Sequence, residues 1–188
     1  MTIVLSTLWV WCKVACYVLP FFLMADVKIA YAASSNLTVT SLNSLASSAT
    51  HVAGWESAAN DNTTNLHLDY RVSVKITVAS AGLSAGQIRV YLVAPLDDTT
   101  WPDVFDGTES AETVTDTEIR DAICRLGAVT DTDTTASRVY YLDVPSVAAV
   151  FNGHLPNKFL LFITQSTGAA LAATGNQVTV TSHYETVT

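Results

Sequence analysis

The stretch Leu66-His67-Leu68-Asp69-Tyr70-Arg71-Val72-Ser73-Val74-Lys75-Ile76-Thr77-Val78 decides the fold class. Its apolar residues Leu66, Leu68, Tyr70, Val72, Val74, Ile76 and Val78 fall on every second position, with polar residues between them. Side chains of a strand point alternately to opposite faces, so this spacing predicts a long half-buried strand with one dry and one wet face. A helix would instead repeat its apolar residues three and four apart. The dry set is therefore expected to be core.

Outward from this strand the same grammar continues. Gln87 to Ala94 sets Ile88, Val90 and Leu92 against Arg89, Tyr91 and Val93, and Pro95 ends it. Further strands are expected over Ile123–Val129, Arg138–Val144 and Gln177–Tyr184, while the continuous apolar run Phe159–Thr164 predicts a strand buried on both faces. Upstream, Leu37, Val39 and Ser41 alternate with Thr38 and Thr40 as a first strand, and Trp55 in Gly54-Trp55-Glu56 reads as a core anchor. Asn60-Asp61-Asn62-Thr63 is a turn signal. Pro145 to Phe151, closed by Asn152-Gly153, reads as a short helical turn. Residues 97–121 are the longest irregular stretch, with room for a helical turn over 110–120. About seven or eight short strands with almost no helix imply an all-β fold. The expected architecture is an antiparallel two-sheet sandwich, jelly-roll-like, in a single domain over 34–188.

Composition agrees. Thr and Val are abundant, and both favour the pleated backbone over helix. The net charge is −8, and Arg71, Lys75, Arg89, Arg120, Arg125, Arg138 and Lys158 are scattered singly rather than gathered into a stripe. Phosphate binding needs clustered cations, so a nucleic-acid partner is excluded. Nine acids against one base, Arg120, fall within residues 97–121, which alone matches the charge of the whole chain. Cys124 is the one cysteine in the body of the chain, so no disulfide within the domain is available. A structural thiol is its expected role.

Residues 1–33 are set apart as an apolar N-terminal segment outside the domain, and three readings compete for it. A signal peptide accounts for the apolar run and for the Ala30-Tyr31-Ala32 triplet, but the run begins without a positive charge and Pro20 splits it. A membrane anchor fits the length, yet Lys13 and Pro20 make it a poor one. The third reading takes Met24 as the true start, which would make the preceding residues, with Cys12 and Cys16, a misassigned start.

Candidate chemistry is thin. The carboxylates of 97–121 are of the type that binds calcium, but their spacing matches no EF-hand loop and solvated surface is the expected role. Paired acids for glycoside hydrolysis would need a cleft lined with aromatics, and beside these acids stand only Trp101 and Phe105. His51, His67, His154 and His183 lie in different elements, with neither zinc spacing nor a Gly-x-Ser-x-Gly elbow. Trp55, Trp101 and Tyr91 are a conceivable sugar-stacking platform, with Trp101 the best placed for a surface contact. Asn36-Leu37-Thr38 and Asn62-Thr63-Thr64 match the glycosylation sequon, which matters only in a secreted eukaryotic protein. No catalytic, cofactor-binding or metal-binding residue is assigned, no cofactor is expected, and the chain is not expected to be an enzyme.

Five segments carry a resemblance. They are Ser41-Leu42-Asn43-Ser44-Leu45-Ala46 with Gly54-Trp55-Glu56-Ser57-Ala58 and Asp61-Asn62-Thr63-Thr64-Asn65-Leu66, then Trp101 to Ala111, then Val147 to Pro156. Together they resemble the small virion structural proteins of tailed bacteriophages, over most of residues 36–185. The resemblance implies a jelly-roll-like protein of the capsid decoration type, made in the host cytoplasm. It would be a homo-oligomer on the shell, with the major capsid protein or other virion proteins as partners and no membrane partner. The alternative is a secreted or surface-attached sandwich that binds carbohydrate or protein.

Overall fold

The computed structural model describes residues 26–187. Eleven strands and two short helices follow one another along it. The strands are β1 (Val27–Tyr31), β2 (Ser35–Asn36), β3 (Ala53–Glu56), β4 (Asn60–Asp61), β5 (Asp69–Thr77), β6 (Gly86–Val93), β7 (Ser110–Thr113), β8 (Arg125–Thr132), β9 (Val139–Val144), β10 (Lys158–Gln165) and β11 (Gln177–Val187). Helix α1 (Thr117–Ile123) lies between β7 and β8, and α2 (Val147–Val150) between β9 and β10.

The pairing is antiparallel throughout and nested. β1 pairs β11, β3 pairs β10, β5 pairs β9 and β6 pairs β8. First therefore meets last and the two middle strands meet each other, as in one long hairpin rolled onto itself. Pairing of β5 with β11 and of β10 with β6 then closes two sheets, ordered β1-β11-β5-β9 and β7-β3-β10-β6-β8. This is the jelly-roll arrangement of an antiparallel β sandwich, as expected.

Between the sheets lies the main core. Tyr70, Val72, Val74, Ile76 and Val78 of the deciding stretch are all buried, facing Ile88, Val90, Leu92, Phe159, Leu161 and Ile163 of the other sheet. Trp55 is fully buried there. Its β3 neighbour Gly54 faces the other way, where an added Cβ would lie 2.6 Å from both Ile163 O and the Phe162 ring. Only glycine fits this close approach.

β10 is buried on both faces, as its unbroken apolar run predicts. Residues 94–124 fold back over the outer face of the six-stranded sheet, and a second core forms there from Tyr91, Val93, Phe105, Val114, Cys124, Leu160 and Phe162. The acidic stretch is thus a cover with structure of its own, holding β7 and α1 where the sequence suggested one turn of helix.

Three expectations need correction. Leu66 and Leu68 are 71% and 49% exposed and lie outside β5. Leu66 has a left-handed backbone (φ 50°), and the Asn62 side chain takes both the N–H and the C=O of His67, so the strand begins only at Asp69. The first strand expected at 37–41 is absent: after β2 the chain turns over 40–44, although Leu37 and Val39 still pack against the core. Residues 27–31, assigned from sequence to the outlying segment, are the first strand of the jelly roll. The Ala30-Tyr31-Ala32 triplet falls at the end of that strand, so cleavage there would remove β1. Lys13, Pro20, Met24, Cys12 and Cys16 lie outside the described residues. Among those described, no helix is long and apolar enough to cross a membrane.

Candidate functional site

The sequence candidates separate once placed. In the acidic stretch the carboxylates of Asp97, Asp103, Asp106 and Asp116 serve the local backbone. Asp97 accepts from the N–H groups of Thr99 and Thr100 at 2.8 and 2.6 Å, and these bonds hold its pKa down at about 2. Asp103 accepts from Thr115 N, Asp106 from Thr108 N, and Asp116 caps α1 through Ile119 N. Glu109 Oε1 accepts from Trp55 Nε1 and from Ser41 N, each at 2.7 Å, tying the loop to the core. Among the described residues no three His, Cys, Asp or Glu side chains converge to hold a metal ion. The stacking platform is not assembled either: Trp55 and Tyr91 are buried, and Trp101 lies half-buried over Gly107. Asn62 of the second sequon is buried, whereas Asn36 is exposed.

Cys124 sits in the second core, where burial pushes its thiol up to about 12. Such a thiol stays protonated at neutral pH and is a poor nucleophile. His51 is buried, bonded through Nδ1 to Thr164 Oγ1 at 2.8 Å. Burial, then the nearby Arg89 and Arg120, lower its pKa to about 4, so it is neutral. Arg120 itself is buried, donating to Thr50 O and lying 5.8 Å from the Tyr91 ring centroid. His154 is exposed, while the His183 ring lies edge-on to Tyr31.

Glu56 was not singled out by the sequence. It is fully buried on the outer face of β3, where Oε1 accepts from Gly107 N at 2.6 Å and Asp106 N at 3.1 Å. Oε2 has no hydrogen-bond partner among the described residues. Burial raises its pKa to about 7, outweighing the two backbone bonds. Glu56 thus pins the acidic cover to the sheet beneath it.

Among the described residues, nothing folds over the outer face of the five-stranded sheet. Strand periodicity places Arg71, Ser73 and Lys75 on it from β5, Tyr141 and Asp143 from β9, and Gln177, Thr179 and Thr181 from β11. Register arranges them in rows across the strands: Tyr141, Lys75 and Gln177 in one, Asp143, Ser73, Thr179 and Asn36 in the next. Asp143 Oδ1 accepts from Arg71 Nε at 2.9 Å and Ser73 Oγ at 3.0 Å, and Asn36 Oδ1 accepts from Gln177 Nε2 and Thr179 Oγ1 at 2.8 Å each. A groove of about 370 Å³ runs between these side chains.

At its far end this face becomes apolar. Residues 184–187 of β11 pair only with β1, so the two strands form a ribbon that runs on past β5. Val27, Ile29, Tyr31 and Val187 lie 60–71% exposed on it, and among the described residues no further strand pairs with the outer edge of β1. The sequence offered a signal for this ribbon, the alternation in Val27-Lys28-Ile29-Ala30-Tyr31, but its partner stands at the opposite end of the chain. No protein-family model matches the chain, and no curated protein matches it in sequence.

Proposed function

We propose that the chain is a non-enzymatic structural protein of a tailed-phage virion, decorating or stabilising the outside of the capsid. The observation that carries this reading is the ribbon of β1 and the end of β11. A two-stranded ribbon is marginal by itself in water, and an open apolar edge invites pairing with another chain. Val27, Ile29, Tyr31 and Val187 gain most when a neighbouring subunit or shell protein covers them. Jelly rolls recur in viral shells, which supports the reading by analogy of fold only. The acidic cover on the opposite sheet, four of whose carboxylates cap local backbone N–H groups, suits a solvated outer surface that keeps particles dispersed.

Immuno-electron microscopy of intact purified particles tests this. Antibody against the chain should label the outside of the capsid. Absence of label from both intact and opened particles would contradict the proposal.

A further inference from the structure

We infer that the groove on the outer face of the five-stranded sheet is a binding site for an acidic glycan, with a pyranose ring stacked on Tyr141 and a sugar carboxylate held by Lys75. Tyr141 is 74% exposed although the residues on either side of it, Tyr140 and Leu142, are core. Its hydroxyl makes no hydrogen bond among the described residues, and the Lys75 ammonium directly across the register has neither a hydrogen bond nor an ion pair there. Both groups are free for a ligand.

Around them the polar side chains are already fixed. Asp143 is held by Arg71 and Ser73, and Gln177 is held by Asn36. Groups fixed in advance lose little freedom on binding. A pyranose matches this arrangement, having a C–H face for an aromatic ring and a rim of hydroxyls for planar polar side chains. Tyr141 and Gln177 stand two strands apart, about 10 Å, which leaves room for more than one sugar ring.

Charge selects among sugars. The chain carries a net charge of −8, yet the groove sets Arg71 and Lys75 against Asp143 alone. A local excess of cation favours a carboxylate-bearing sugar over a neutral one through a charge-assisted bond. This inference goes beyond the virion proposal and does not depend on it, since the groove and the ribbon occupy opposite ends of the face.

Titration of the full-length protein with hexagalacturonate, followed by calorimetry and amide chemical shifts, tests the site. Cellohexaose is the neutral comparison. Hexagalacturonate should bind at least tenfold more tightly than cellohexaose, with shifts centred on residues 73–75, 141–143 and 177–179. Tyr141→Ala and Lys75→Glu should each weaken it at least tenfold while keeping the wild-type melt, because both side chains lie on the wet face. The inference is overturned by no binding of hexagalacturonate up to about 10 mM, by equal binding of the two sugars, by shifts centred elsewhere, or by variants that bind like wild type. Should one variant fail to fold, the other decides.

Discussion

At the scale of single residues, two buried titrating groups pull stability in opposite directions. Glu56 has its pKa raised from 4.5 to about 7 by burial. The folded state therefore keeps a proton that the unfolded chain gives up, so the contribution of Glu56 is greatest below about pH 4.5 and is lost as pH rises to about 7. His51 has its pKa lowered from 6.5 to about 4, chiefly by burial. Its contribution is greatest above pH 6.5 and is lost as pH falls to about 4. The two windows overlap, and in the wild type they offset one another. Glu56→Gln should therefore make stability rise more steeply with pH across this window, and His51→Asn should make it fall. Asn suits the left-handed backbone at this site (φ 57°). Urea unfolding at pH 4.5 and 7 reads both, and variants with the pH slope of the wild type would contradict the account. Glu56 did not stand out in the sequence, and His51 did so only as one of four scattered histidines. Their burial comes from the fold-back of 94–124, which no local pattern announces.

Elements divide into those set by local pattern and those set by distant partners. The alternation of 70–78 gave the correct dry face for β5, and the apolar run of 159–164 correctly marked β10 as buried on both sides. β5 pairs with β11 on one edge and β9 on the other, and Val72 at its middle is fully buried. Val72→Asp would place an unpaired charge between the sheets, and the variant should show no cooperative thermal transition. A retained cooperative melt would refute the register of this strand. The misread ends have physical causes too: at Leu66 and Leu68 the Asn62 side chain captures the backbone before the strand can extend, and β1 gains its meaning only from β11. The ribbon gives a sharper test of function than of folding. Ile29→Glu with Tyr31→Glu changes two exposed side chains, so its stability should stay within about 0.5 kcal/mol of wild type for each change. Incorporation into particles, measured by western blot of gradient fractions, should fall at least tenfold. Undiminished incorporation would show that the ribbon is not the docking surface.

For the whole molecule, composition and periodicity sufficed for an all-β sandwich, and the strand count pointed to a jelly roll. The nested pairing could not be read locally, because no strand pairs with its immediate neighbour in the chain, and even β6 with β8 spans the acidic stretch between them. The candidate surface was legible only in part. The wet face of β5 supplied Arg71, Ser73 and Lys75, but Tyr141 acquires its role from lying across the register from Lys75. The aromatic residues that drew notice in the sequence, Trp55 and Tyr91, turned out to be core. The central claim, a structural role on the virion, is tested most directly by quantitative peptide mass spectrometry of gradient-purified particles from the source phage. The account predicts peptides of this chain, including those covering β1, at a copy number comparable to that of the major shell protein. Particles that lack the chain, with its peptides recovered instead from the surrounding medium and beginning after Ala32, would contradict it.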